Sequence, residues 1–168
     1  MNPFKILELE PRFDLDLDAA EHRHRELSRA LHPDRFVGRP ASERRLALSR
    51  AIEVNEAWRT LRDPVRRAEA LLNLHGIDSG ETSSAKADPE LLMEMMEQRE
   101  ALAETRASKD LPRLRDLSAT MRDRQARVLD ALTKAFSHDP QTALPVLAEL
   151  RYVRRFLEEA SALEDELL

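Results

Sequence analysis

Apolar residues recur along most of this chain at steps of three and four, the spacing that holds side chains on one stripe of an α-helix. Leu17, Ala20, His24, Leu27 and Leu31 form one such stripe, and Ala47, Ala51, Val54, Trp58 and Leu61 form another. They predict a helix from about Asp16 to Leu31 and one that starts near Ser42, taken as its N-cap. Ahead of them, Asn2-Pro3 pairs a capping side chain with a first-turn proline and leads into Phe4, Ile6, Leu7 and Leu9, a short helix that Pro11 closes. Asp63-Pro64 ends the third helix and opens a fourth through Ala68, Leu71, Leu72 and Leu74, which Gly76 can terminate in the left-handed conformation. Pro33 disfavours helical geometry at residue 32, so His32-Pro33-Asp34 is expected to be a loop between the second and third helices.

Residues 77–88, IDSGETSSAKAD, are polar, serine-rich and without apolar period, and read as a linker between units at 1–76 and 89–168. Beyond it, Asp88-Pro89 opens a fifth helix. A sixth begins near Asp110 and carries Leu114, Leu117, Met121, Val128, Leu129 and Leu132 to about Phe136, where His138-Asp139-Pro140 breaks it. In the last helix Thr142 as cap puts Pro145 in the first turn, where a missing N–H costs little. Three long antiparallel helices with short links make a small bundle. No internal repeat is visible.

Composition agrees with an all-α fold: only 3 Gly and 4% aromatic residues accompany abundant Ala, Leu, Glu and Arg. With Cys at 0, disulfides, thiolate metal sites and cysteine nucleophiles are excluded. The net charge of -5 conceals an asymmetry, because residues 1–76 hold 14 Lys+Arg against 13 Asp+Glu and residues 77–168 hold 13 against 19. The two parts are expected to meet different partners. The start, MNPFKILELEPRF, has no basic-then-apolar leader pattern, and nowhere do 18 uncharged apolar residues run together. A cytoplasmic protein that does not enter a membrane is the expectation.

Candidate chemistry is sparse. His32 and Asp34 could be a base and its orienter, but no nucleophile or oxyanion site accompanies them. Glu21-x-x-His24 has the spacing of a di-iron carboxylate helix, yet such sites need two pairs, and His22 and His24 point to different sides. No cofactor or metal is therefore expected, and His24 reads as an edge-of-core residue whose ring nitrogen finds a partner. The loop offers recognition instead. Residues 23–50 contain Arg23, Arg25, Arg29, Arg35, Arg39, Arg44, Arg45 and Arg50 against Glu26, Asp34 and Glu43. A net basic tip with one oriented carboxylate can steer an acidic partner while Asp34 seeks a single arginine or lysine. A solvated charged face around a convenient turn fits the same spacing. A nucleic-acid binder would need more than one basic hairpin on a net acidic chain.

The fifth helix mixes chemistry around its circumference. With Leu91 as origin at 100° per residue, Leu91, Met95 and Leu102 fall within about 40° of each other as a core stripe. Leu92, Met96, Glu100, Met93, Glu104 and Glu97 follow from about 100° to 240°. Exposed methionines beside carboxylates suit an irregular basic partner. Equally, Leu92 and Met96 could widen the core stripe.

A helix ending in LHPDRF followed by one ending NEAWRTLRDP resembles the J domain of DnaJ-type co-chaperones, whose signature tripeptide is HPD. RRAEALLNLHG at 66–76 and LLMEMMEQREAL at 91–102 extend the resemblance over nearly the whole chain, to the HscB/Jac-type co-chaperones of iron–sulfur cluster assembly. The resemblance implies an N-terminal J domain (1–76), a linker (77–88) and a C-terminal three-helix domain (89–168). It implies that His32, Pro33 and Asp34 dock on a DnaK/HscA-type chaperone ATPase and stimulate it. Arg23, Arg25 and Arg29 match the basic second-helix surface in character, and Arg35 lies at the same tip. It further implies that an IscU-type scaffold protein binds Leu92, Met93, Met96, Glu97, Glu100, Glu104 and Tyr152. His24 and Leu31 stand where relatives usually carry aromatic residues, and the cysteine-based zinc module of some relatives is missing. An adaptor for a different client, or one without chaperone coupling, is the alternative; the intact tripeptide argues against the latter.

Overall fold

The computed structural model describes residues 1–80 and 88–168, and among these every regular element is helical. The chain divides into two compact units, Met1–Asp78 and Ser79–Leu168. The expected linker at 77–88 lies for the most part, at 81–87, outside the described residues.

The first unit begins with α1 (Pro3–Ile6), whose N-cap Asn2 accepts from the Lys5 N–H at 3.2 Å. It stops short of the expected Leu9. Glu8 takes a left-handed conformation with φ of 56°, and the Leu9 N–H turns back to the Phe4 carbonyl at 2.9 Å, so the end is set by the chain reversal rather than by Pro11. Asp16 caps α2 (Leu17–Ala30) by accepting from Ala19 N–H at 3.0 Å. The tripeptide is not plain loop: Pro33–Phe36 form one turn of 3-10 helix with His32 as its N-cap. α3 (Ala41–Arg62) starts after Pro40 with no side-chain cap, so Ser42, expected to cap it, lies inside the first turn. Pro40 supplies the extended entry that a capping side chain would otherwise select.

Asp63 serves both ends of a corner, closing α3 and capping α4 (Pro64–Leu74) by accepting from Val65 and Arg66 N–H groups at 2.9 and 3.1 Å. Arg67 completes this corner from inside. It is buried, donates to the Leu61 carbonyl at 2.6 Å and lies over the Phe13 ring at 4.9 Å. Leu61 belongs to the last turn of α3, whose carbonyls have no helical partner, so the guanidinium satisfies a group that would otherwise be buried unpaired. Burial lowers the Arg67 pKa, with the charges of Asp63 and Asp14 opposing that shift. Phe4, Leu7, Phe13, Ala20, Val54, Leu61, Leu71 and Leu72 form the core that these helices enclose.

The second unit contains α5 (Pro89–Ser108), α6 (Leu111–His138) and α7 (Ala143–Leu167), with a 3-10 turn at Pro140–Thr142. Asp88 and Asp110 cap the first two. Pro145 falls in the first turn of α7 as expected, but Thr142 does not act as a side-chain cap; its hydroxyl donates to the Asp139 carbonyl at 2.6 Å. Arg115 pairs with Glu164 and Arg124 with Glu149, so α6 and α7 are antiparallel. Met95 meets Tyr152 and, further along both helices, Arg99 pairs with Glu159, so α5 runs parallel to α7. α7 buries eight residues and α5 only two, Leu102 and Thr105, which makes α5 the outermost helix and leaves most of its circumference in water.

Candidate functional site

Two surfaces carry the residues singled out from the sequence. The first is the hairpin tip. Pro33 fixes φ at the start of the 3-10 turn, and the His32 ring folds back so that Nδ1 accepts the Asp34 N–H at 3.3 Å. A neutral ring in that role carries its proton on Nε2. The Asp34 carboxylate reaches 3.5 Å from the same Nδ1 and is otherwise in solvent, with its side chain 88% exposed. Its backbone is therefore held while its charge stays available, the arrangement a recognition carboxylate needs.

The surrounding arginines divide into two groups. Arg23 hydrogen-bonds Glu8 and, at 3.1 Å, Glu26, and Arg25 pairs with Glu21 at 2.7 Å. These two, expected to face a partner, spend part of their charge within the unit. Arg29 and Arg35 are exposed and make no ion pair among the described residues. His24, at the edge of the core, stacks on Trp58 with ring centroids 5.6 Å apart and shares a hydrogen bond with Asn55 Oδ1 at 2.9 Å. That is where the ring found its partner.

The second surface lies on α5 and α7. Leu92, Met93 and Met96 are 47%, 65% and 72% exposed, and Glu97, Glu100 and Glu104 are exposed beside them. The arc is thus not a widened core stripe; Met95 and Leu102 supply the packing, as the wheel places them. Glu104 differs from its two neighbours because it pairs with Arg113 at 2.9 Å. Glu97 and Glu100 have no such partner among the described residues.

Tyr152 is only 8% exposed, its ring packed in the core and its hydroxyl donating to the Met95 carbonyl at 2.9 Å. Burial raises the phenol pKa, and the nearby charges of Arg99 and Arg124 act in the opposite direction. The ring edge lines a groove of about 430 Å³ together with Leu92, Met95, Met96, Arg99 and Arg155. The two arginines were not among the expected site residues. Arg155 sits three residues beyond Tyr152 on α7, so helical spacing from Tyr152 was the signal that could have found it. The charged lining of the groove is guanidinium, from Arg99, Arg151 and Arg155.

On the same N-terminal turns α5 is tied down by Arg124, which pairs with Glu94 at 2.8 Å and Glu149 at 2.7 Å. Burial alone would lower the Arg124 pKa, but the two carboxylates more than offset it and the net shift is upward. No cluster of three or more His, Asp or Glu side chains among the described residues is placed to hold a metal ion. None of the described helices is long and apolar enough to cross a membrane.

Comparison with known proteins places both surfaces in context. Residues 87–161 match the family described as "HSCB C-terminal oligomerisation domain". Over its full length the chain is 36% identical to a co-chaperone protein HscB homolog of Shewanella sp. (strain ANA-3), covering 99% of that relative. It resembles chaperone HscB from Vibrio cholerae with a TM-score of 0.87 and 32% identity, covering all of both chains. The crystal structure of human co-chaperone protein HscB aligns with a TM-score of 0.88 at 28% identity, over 96% of this chain and 81% of the human one.

Proposed function

This chain belongs to the HscB co-chaperone family, a family of co-chaperones rather than of enzymes, and on that premise we propose that it couples two partners through its two surfaces. The unit at 1–76 acts as a J domain. Its tripeptide, with Arg29 and Arg35 beside it and Arg23 and Arg25 behind them, docks on a DnaK/HscA-type chaperone and stimulates ATP hydrolysis there. The unit at 89–168 holds an IscU-type iron–sulfur scaffold protein on Leu92, Met93, Met96, Glu97 and Glu100, with Glu104 at the edge and Tyr152 at the groove floor.

A single observation carries the first half of this reading: the Asp34 carboxylate is fully presented while its main chain is held by His32. A partner cation meeting it gains a charge-assisted contact without paying to order the loop. The second half rests on apolar side chains that remain in water on α5, where burying each against a partner contributes on the order of 1.5–3 kcal/mol. Carboxylates beside them select a partner carrying Lys or Arg.

The deciding experiment is a single-turnover ATPase measurement on the cognate chaperone. Wild-type chain should raise the hydrolysis rate and Asp34→Asn should not. Equal stimulation by both proteins overturns the role given to Asp34. A rate raised by neither removes the chaperone reading altogether.

A further inference from the structure

The two ends of α5 are held in different ways. Its buried residues, Leu102 and Thr105, both lie in the C-terminal half. Glu104 pairs there with Arg113 at 2.9 Å, and only Lys109 and Asp110 separate α5 from α6. Lys109 adopts φ of 54° and Asp110 caps α6, so this end is pinned by packing and by a short, defined turn. From residue 89 to 101, by contrast, no side chain is buried, and Leu91, Met95 and Gln98 are half-buried at helical spacing as the whole contact stripe. Gln98 Oε1 is enclosed with no hydrogen-bond partner among the described residues, a cost that the observed position bears and an outward one relieves.

Empty space flanks that stripe on both sides. One groove, about 430 Å³, lies between Leu92, Met95 and Met96 of α5 and Ala148, Tyr152 and Arg155 of α7. A second, about 280 Å³, lies between Leu91 and Glu94 of α5 and Val146 and Glu149 of α7, with Arg124 of α6 at its wall. Leu91 and Met95 are the ridge that divides them. α7 does not need the ridge for its own core, because Leu147, Leu150, Val153 and Phe156 are already buried.

Polar contacts close the free end, and each can part without stranding a group. Arg124 pairs with Glu94 on α5 and with Glu149 on α7, so it keeps one carboxylate when Glu94 leaves. The Met95 carbonyl that receives the Tyr152 hydroxyl sits inside a helix, where the N–H four residues on is also its donor. Arg99 and Glu159, 3.7 Å apart and both about half exposed, add a rim pair of small worth. No Gly or Pro follows Pro89 within α5, so the helix has no kink site and moves as a rod.

We propose that α5 is a jaw that pivots on Leu102 and Thr105, latched by Arg124 with Glu94 and by Tyr152 with Met95, and that its opening joins the two grooves into one cleft along α7. Pro89 is about 20 Å along the rod from Leu102, so a rotation of about 10° carries the free end outward by about 3–4 Å. The distance of Leu92 and Met96 from Tyr152 then has two values, one latched and one open. The motion belongs to the free chain and does not depend on which protein meets the α5 surface.

The test is the distance between paired spin labels on the full-length chain, which has 0 native Cys to compete for the label. Met93→Cys with Arg127→Cys reads the free end, and Ala103→Cys with Asp116→Cys reads the anchored end; all four positions are exposed. Each pair is measured with the latch intact and with Glu94→Gln and Tyr152→Phe combined. Release should place about fivefold more molecules at a free-end distance lengthened by about 3–4 Å, with the anchored-end distance constant to about 1 Å. Glu94→Gln alone changes one half-exposed side chain and keeps the Arg124–Glu149 pair, so the unit stays folded and should show the same shift in fewer molecules. Added salt should open the intact protein more than the released one.

Identical free-end distances with the latch intact and released overturn the jaw. Lengthening of both pairs together also overturns it, since Leu102 and Thr105 would then be no pivot.

Discussion

The hydroxyl of Tyr152 on α7 donates to the main-chain carbonyl of Met95 on α5 across 2.9 Å. That bond fixes the distance between the two helices at the point where Leu92 and Met96 stand exposed, and so sets the width of the groove they line. The residue expected to touch a partner is thus also the one that shapes the groove.

Tyr152→Phe keeps the ring and removes the donor, leaving one carbonyl of α5 without this bond. The second unit should lose about 1 kcal/mol of stability in denaturant titration. The wild type should also show a pH dependence that the variant lacks. Because burial raises the folded phenol pKa, the bond's contribution is intact below the ordinary phenol value near 10 and declines as pH rises past it. The chain contains 1 Tyr, so ultraviolet titration reads this group directly.

Leu92, Met93 and Met96 are exposed, so replacing all three by Ala should change stability by no more than about 0.5 kcal/mol each. Binding of the scaffold protein, measured calorimetrically, should fall at least tenfold, while ATPase stimulation in the absence of scaffold stays at the wild-type level. Equal scaffold affinity for the triple variant and wild type would remove α5 from the interface.

Phe156 is 2% exposed in the centre of the second unit's core. Phe156→Ala should lower the stability of that unit by roughly 3–5 kcal/mol, through lost burial and the cavity left behind. Tyr152 absorbance should follow this transition. The fluorescence of Trp58, in the first unit, should keep its own midpoint.

His32→Ala removes the ring nitrogen that holds the Asp34 N–H, and exchange of that amide with solvent should accelerate several-fold. His32→Asn supplies a strong capping oxygen at the same position and should restore much of the protection. Loss of protection in neither variant would show that the turn is held by Pro33 alone.

Gly76 adopts φ of 69° with no atom within 4 Å of where a Cβ would be. Gly76→Ala should therefore cost only the left-handed backbone penalty, about 1–2 kcal/mol, visible as a lowered midpoint of the first unit. A larger loss would point to a steric contact that the geometry excludes.

Helix order was legible in the sequence because each start carries a local device. Asn2-Pro3, Asp63-Pro64 and Asp88-Pro89 all cap as their spacing implies, since capping is settled within four residues. The departures occur where a neighbouring proline or a distant group decides. Ser42 yields to Pro40 as the entry to α3, and the first helix stops early because the chain reverses at Glu8, which then reaches Arg23 on α2.

The same division holds for function. Periodicity, the tripeptide and the polar–apolar wheel of α5 depend on order along one chain, so the sequence by itself determined an all-helical protein with a basic tip and a mixed face. Which charges remain free depends on what lies across from them, and only the folded chain decided that. It spends Arg23, Arg25 and Glu104 on internal partners, leaves Arg44, Arg45, Glu97 and Glu100 without an ion pair among the described residues, and opens a cavity beside Pro33. Ion pairs and cavities arise between helices, and no pattern within one helix records its neighbour's side chains.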